Sequence, residues 1–195
     1  MIKNSKDYHF YLEQDRIVLK VQTGFKPFLK RLLFPHQIWE FQKLLRKCEY
    51  YRNIKTSFIG KLQYIYFRRL FYKKSILLTF SIPENVFGPG LAIVHYGTIV
   101  VNANVKVGSN CRIHACTNIG ASGGTAKAPI IGNNVYIAPG VKIYGDINIA
   151  DNIAFAANAA VNRNCLESNS AYGGVPAKRI GTVDVSRLIP QLRIK

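Results

Sequence analysis

From Ile131 onward an aliphatic or aromatic residue recurs at every sixth position: Ile131, Ile137, Ile143, Ile149, Phe155 and Val161. The positions four further on, Val135, Val141, Ile147, Ile153 and Ala159, are also small or apolar. Upstream, Val101, Val107, Ile113 and Ile119 carry the same period, with Val105, Cys111 and Thr117 at plus four. A six-residue period matches neither a helix nor a strand with one buried face, and turns of an ordinary sandwich would come every eight to twelve residues. A fixed short period predicts a β-solenoid, in which each unit buries its face only against the next coil. Gly108, Gly132, Gly140 and Gly145, with the Asn residues between hexads, suit sharp corners where positive φ is needed. Residues 120 to 130, GASGGTAKAPI, break the pattern over the twelve steps from Ile119 to Ile131 and are expected to leave the solenoid as a loop.

Up to about residue 80 the pattern is different. Segments such as PHQIWEFQKLLRKCEYYRNI and LQYIYFRRLFYKK space their apolar residues by three and four, which predicts amphipathic helices with Pro35 in the first turn of the middle one. Trp39 is expected to pack in their core. The organisation expected is therefore a helical region over residues 1–80, a β-helix over 81–181 and a short tail over 182–195. The fold class is mainly β, a parallel β-helix preceded by α-helices.

Composition adds that the chain folds: 48% of residues are apolar and 19% charged, far from the signature of disorder. The net charge of +17 is concentrated in the helical region, where 17 Lys and Arg stand against 5 Asp and Glu, leaving +12. A field of this sign attracts polyanions, anionic lipid or a phosphorylated coenzyme. No nucleic-acid module accompanies it, so nucleic acid is not the expected partner. The four cysteines form no CxxC pair and have no His-rich segment to complete a metal site, so reduced thiols and no metal are expected. The first residues hold no signal-peptide core, and no window approaches eighteen uninterrupted apolar residues. A cytoplasmic chain, at most peripheral to a membrane, is expected.

The segment GPGLAIVHYGTIVV with its His95, the hexads, and the closing GGVPAK together resemble the serine-acetyltransferase-like branch of the left-handed β-helix acyltransferases, over residues 86 to 181. That resemblance implies a left-handed coil of three hexads, acetyl-CoA as co-substrate, and a homotrimer with active sites between neighbours, which the amino-terminal helices can pair into a hexamer. It assigns His95 as the catalytic base, a role that suits a group with a pKa near neutral. Extending the hexad frame upstream places His95 at a position that elsewhere points inward. His114 follows by one coil plus one step; it could touch substrate, set the charge on His95, or sit on the surface. The family's coenzyme groove corresponds to Gly120, Ala138 and Ala156, with Lys178 of VPAK near the coenzyme phosphates.

The departures bear on the acceptor. Val94 stands where the family has an Asp before its His, and about Ser81 where it has the Asp that orients that His. The family's Arg-His pair in the loop is replaced by TAKAPII, leaving Lys127, and a Lys substitutes poorly for a bidentate Arg on a carboxylate. Glu84 or a backbone carbonyl could orient His95. The leading expectation is O-acetylation of a sugar hydroxyl in cell-surface polysaccharide synthesis. The alternatives are serine O-acetylation and a non-catalytic β-helix that binds a partner through its basic lobe.

Overall fold

The computed structural model describes residues 1–193. Four helices come first: α1 (Ser5–Val18), α2 (Phe25–Leu33), α3 (Gln37–Ile54) and α4 (Phe58–Leu78). Helix α1 is capped by Asn4, whose side chain accepts from the Asp7 amide at 2.8 Å, and α4 by Ser57, which accepts from the Gly60 amide. Pro35 lies outside α3 and not in its first turn. The cap is His36, whose Nδ1 accepts from the Trp39 amide, so the helix begins one residue later.

From Phe80 the chain winds into five coils whose short strands stack into three parallel faces. The first face holds Phe80–Ser81, Ile99–Val101, Thr117–Gly120, Lys142–Tyr144 and Ala160–Val161. The second holds Lys106–Val107, Ile130–Ile131 and Asn148–Ile149. The third holds Ala92–Ile93, Arg112–Ile113, Tyr136–Ile137, Ala154–Phe155 and Ser170–Gly173, closed by the antiparallel strand Lys178–Thr182. The registers explain the sixfold period. Val101, Ile119, Ile143 and Val161 stack on the first face, Val107, Ile131 and Ile149 on the second, and Ile93, Ile113, Ile137 and Phe155 on the third. Every one of these side chains is buried, as are Val105, Cys111, Thr117, Val135, Val141, Ile147, Ile153 and Ala159 four positions further on. Each full burial of an aliphatic side chain contributes about 1.5–3 kcal/mol, so the repeat itself supplies the core.

Two departures from the period bear on the site. Ile119 and Ile131 occupy successive faces although twelve residues separate them, so the 120–130 segment is a loop six residues longer than a hexad. Between Ile93 and Val101 the frame is two residues too long, because Ile93, and not His95, is the partner of Ile113. His95 therefore leaves the inward position that the extended frame gives it and lies exposed in the corner between the third and first faces.

Positive φ is supplied at the corners mainly by asparagine. Asn110, Asn134 and Asn152 have φ near +60° and form a ladder, Asn110 Nδ2 donating to Asn134 Oδ1 and Asn134 Nδ2 to Asn152 Oδ1, both at 2.9 Å. Gly140 and Gly145 also take positive φ, whereas Gly108 and Gly132 do not. At those two the missing side chain matters for another reason: a Cβ on Gly108 would stand 2.8 Å from the Gly132 carbonyl, so successive coils could not touch. Replacing Asn134 by Ala removes two side-chain hydrogen bonds and leaves in a left-handed conformation a residue without the polar side chain that favours it. We expect a loss of about 1–3 kcal/mol, read from the urea midpoint.

The helices are joined to the first coil by an apolar seam and by a buried ion network. Phe41 of α3 packs on Phe71 of α4 and Phe80, each at 5.1 Å between ring centroids. Arg46 of α3 is fully buried: its Nε donates to Asp15 of α1 at 2.8 Å, and its terminal nitrogens donate to Glu49 and to the carbonyls of Phe87 and Gly88. Asp15 in turn accepts from the amides of Gly90 and Leu91, and Glu49 from that of Asn85. Burial alone would lower the Arg46 pKa, but Asp15 and Glu49 outweigh it and hold the guanidinium charged.

Candidate active site

The corner that carries His95 is built from stacked backbone rungs. Val94 donates its amide to Ile113, His114 to Ile137, Ala138 to Phe155 and Ala156 to Tyr172. Val94, His114, Ala138, Ala156 and Gly173 therefore form one column along the edge of the third face, and Gly173 pairs with Lys178 in the closing hairpin. Ala138 is buried, whereas Ala156 and Lys178 are exposed. The five strand-to-strand steps from Val94 to Lys178 cover about 24 Å. Beyond His114 a row of small residues, Ala138, Ala156 and Gly173, thus leads from the His95 corner to a cation.

His95 has no hydrogen-bond partner among the described residues, and its ring lies 6.0 Å from that of His114. His114 is 9% exposed, packs edge-on to Tyr136 at 5.2 Å, and leaves Nε2 buried without a partner. Burial, Arg112 and His95 depress its pKa to about 4, from the usual 6.5. It is neutral at pH 7. Between about pH 6.5 and 4 the unfolded chain binds a proton at His114 that the folded chain refuses, so its contribution to stability is lost as pH falls through that window. We expect the urea midpoint to drop from pH 7 to pH 5 by less in His114→Gln than in the wild type.

The other residues picked out in the sequence lie elsewhere. Glu84 sits at the corner between the first and second faces. Its carboxylate accepts from the Tyr64 hydroxyl at 3.1 Å and from Arg52 at 3.2 Å, and so is engaged away from His95. Gly120 ends the strand Thr117–Gly120 and Lys127 lies in the loop that follows it, at that same kind of corner, across the first face from the His95 column. Lys127 is tied to Asp146 at 2.8 Å. Ser81, where the orienting Asp would stand, lies in the first strand of the first face. Among the described residues no group of three or more His, Cys, Asp or Glu side chains could hold a metal. No helix is long and apolar enough to cross a membrane.

One feature beside the column escapes a reading of the hexads. A crevice of about 240 Å³ opens between the helices and the third face, lined by Ala92, Val94 and Arg112 on one side and Lys20 and His36 on the other. Arg112 forms no hydrogen bond or ion pair among the described residues. Its position immediately before an inward Ile marks it as outward-facing on the third face, a signal already present in the alternation Arg112–Ile113. Lys20 and His36 join it only through the fold.

No protein-family model matches the chain. Over 117 residues it is 32% identical to a serine acetyltransferase of Staphylococcus xylosus, covering 55% of this chain and 54% of that protein. Over 100 residues it is 30% identical to one from Synechococcus elongatus, covering 50% and 41%. The chain thus spans about half the length of these relatives. Among solved structures, serine acetyltransferase from Brucella abortus superposes with a TM-score of 0.72 at 21% identity, covering 93% of this chain and 72% of that one. The same enzyme in complex with coenzyme A gives 0.71 at 22% identity, covering 92% and 70%. The Neisseria gonorrhoeae enzyme gives 0.70 at 21%, covering 96% and 72%. The fold is that of the left-handed β-helix of these proteins, and over about half its length the chain is similar to them in sequence.

Proposed function

We propose that this chain is an acetyl-CoA-dependent O-acyltransferase with His95 as its general base. The observation that carries the proposal is the placement of His95: exposed, with both ring nitrogens unclaimed among the described residues, at the head of a column that continues past His114 through Ala138, Ala156 and Gly173 to Lys178. A pantetheine arm laid along Ala138 and Ala156 would bring its thioester to the imidazole and its phosphates to the ammonium. His95 takes the proton of an acceptor hydroxyl as the oxygen attacks the thioester carbonyl. The tetrahedral intermediate then collapses, and the departing thiolate takes that proton from the imidazolium. His114, neutral and adjacent, leaves His95 free of a second fixed charge during this exchange.

Similarity to serine acetyltransferases favours L-serine as the acceptor over the sugar hydroxyl that the sequence pattern suggests. Arg112, which has no partner among the described residues and lines the crevice with Val94, is a guanidinium available to an acceptor carboxylate. A sugar acceptor remains a second reading on one observation: Lys127, the only cation of the 120–130 loop, is already bound to Asp146, so the loop offers no grip for a carboxylate. Gly120 and Lys127 would reach a coenzyme at the His95 corner only from a neighbouring subunit, an arrangement that a homotrimer with interfacial sites would provide.

Free-thiol release from acetyl-CoA, run with L-serine and with simple and nucleotide-linked sugars, separates the acceptors. Turnover with serine that falls in Arg112→Gln through a raised KM supports the amino-acid reading. Turnover with a sugar alone replaces it with the glycan reading, and thiol release with neither acceptor counts against both.

A further inference from the structure

We infer that the outer faces of α2 and α4 dock this protein on an anionic lipid surface. Helix α2 buries none of its residues. Its apolar side chains Phe25, Phe28, Leu29, Leu32 and Leu33 follow the spacing of one helical stripe, and they are 48–79% exposed. Lys26, Lys30 and Arg31 flank that stripe. Helix α4 presents a second stripe, with Phe58, Leu62, Ile65, Tyr66, Tyr72 and Ile76 each more than half exposed. A groove of about 600 Å³, lined by Arg31 and Leu32 of α2 and by Leu70, Lys73 and Leu77 of α4, joins the two.

Charge decides what covers this surface. Every ionisable group on α2 is Lys or Arg, and α4 adds Lys61, Arg68, Arg69, Lys73 and Lys74 with no carboxylate. The one carboxylate lining the groove, Glu40 of α3, is paired with Lys43. A second copy packed on the same face by a two-fold axis would set these cations against themselves. An interfacial helix needs the opposite arrangement: aromatic and leucine side chains that sink below the headgroups, and cations that meet lipid phosphates. Neither helix is apolar enough to cross the bilayer, so the contact lies in its surface. The inference does not depend on the acyl-transfer reading.

Co-sedimentation with vesicles tests it without coenzyme or acceptor. The full chain is expected to pellet with phosphatidylcholine vesicles that contain phosphatidylserine and to bind pure phosphatidylcholine far less. Lys26→Gln, Lys30→Gln and Arg31→Gln combined should weaken partitioning on the anionic vesicles roughly a hundredfold. Phe28→Ser with Leu32→Ser should weaken it at least about tenfold. Both variants should keep the oligomer size and circular dichroism of the wild type, since none of these side chains is in the core. Absence of binding to anionic vesicles, binding indifferent to both variants, or a smaller oligomer in the Phe28/Leu32 variant would each overturn the inference, the last by identifying a second copy as the occupant.

Discussion

Replacing His95 by Ala is expected to lower acetyl transfer by about 10²- to 10⁴-fold while leaving coenzyme binding unchanged. The loss falls on kcat, because the imidazole acts only as the hydroxyl proton moves. The ring is exposed in a corner that is two residues longer than the regular hexad, so its removal opens no cavity and the variant should melt as the wild type does. His95→Gln keeps hydrogen bonding without basicity and should be equally inactive. A kinetic and calorimetric comparison of the two variants checks the assignment: a fall in binding with turnover per bound coenzyme intact would make His95 a ligand contact instead of a base. His114→Gln is the useful control, since His114 is already neutral at pH 7 and should affect turnover much less.

Arg46→Ala is expected to cost about 3–5 kcal/mol of folding stability. The guanidinium binds Asp15 on α1, Glu49 on its own helix and two carbonyls of the first coil, with no exposure to water. Truncation leaves the two carboxylates facing each other in a buried site, which is far worse than losing the contacts alone. Arg46→Met, with Asp15→Asn and Glu49→Gln, removes the charges together and should recover a large part of the loss. Urea unfolding of the single and triple variants checks this; a single variant within about 1 kcal/mol of wild type would show that the network contributes little. The carboxylates would then have to be protonated or reached by water.

The β-helix was legible because its period follows from the coil: eighteen residues make one coil of three faces, so an inward residue comes every six. Asn134 and Asn152 were legible as corners, although the hydrogen-bonded ladder they form requires the coils to be stacked. The irregular places were less legible. A frame run upstream from Val101 lands on His95, and only the pairing of Ile93 with Ile113 reveals the two-residue surplus that turns the ring outward. Gly108 and Gly132 look like turn glycines, yet they are small because the adjacent coil lies against them. Arg46 and Glu49, three apart on a helix, read as a solvated pair, and nothing local marks them as buried against Asp15. Glu84 lies near the motif in sequence, but its partners Tyr64 and Arg52 come from helices twenty and thirty-two residues away. Helix α2 was hidden for a simpler reason: its amphipathic pattern predicts a buried stripe, and the fold supplies nothing to cover it.

A coenzyme whose thioester is to reach His95 must lie along the column from Ala138 to Lys178. Titration calorimetry of coenzyme A into the wild type and Ala156→Trp tests it most directly. Ala156 is exposed in the middle of the column, so an indole there fills the path without disturbing the core. Saturable binding to the wild type is expected, and none measurable to a folded Ala156→Trp. Equal binding to both proteins, or no binding to the wild type, would contradict it.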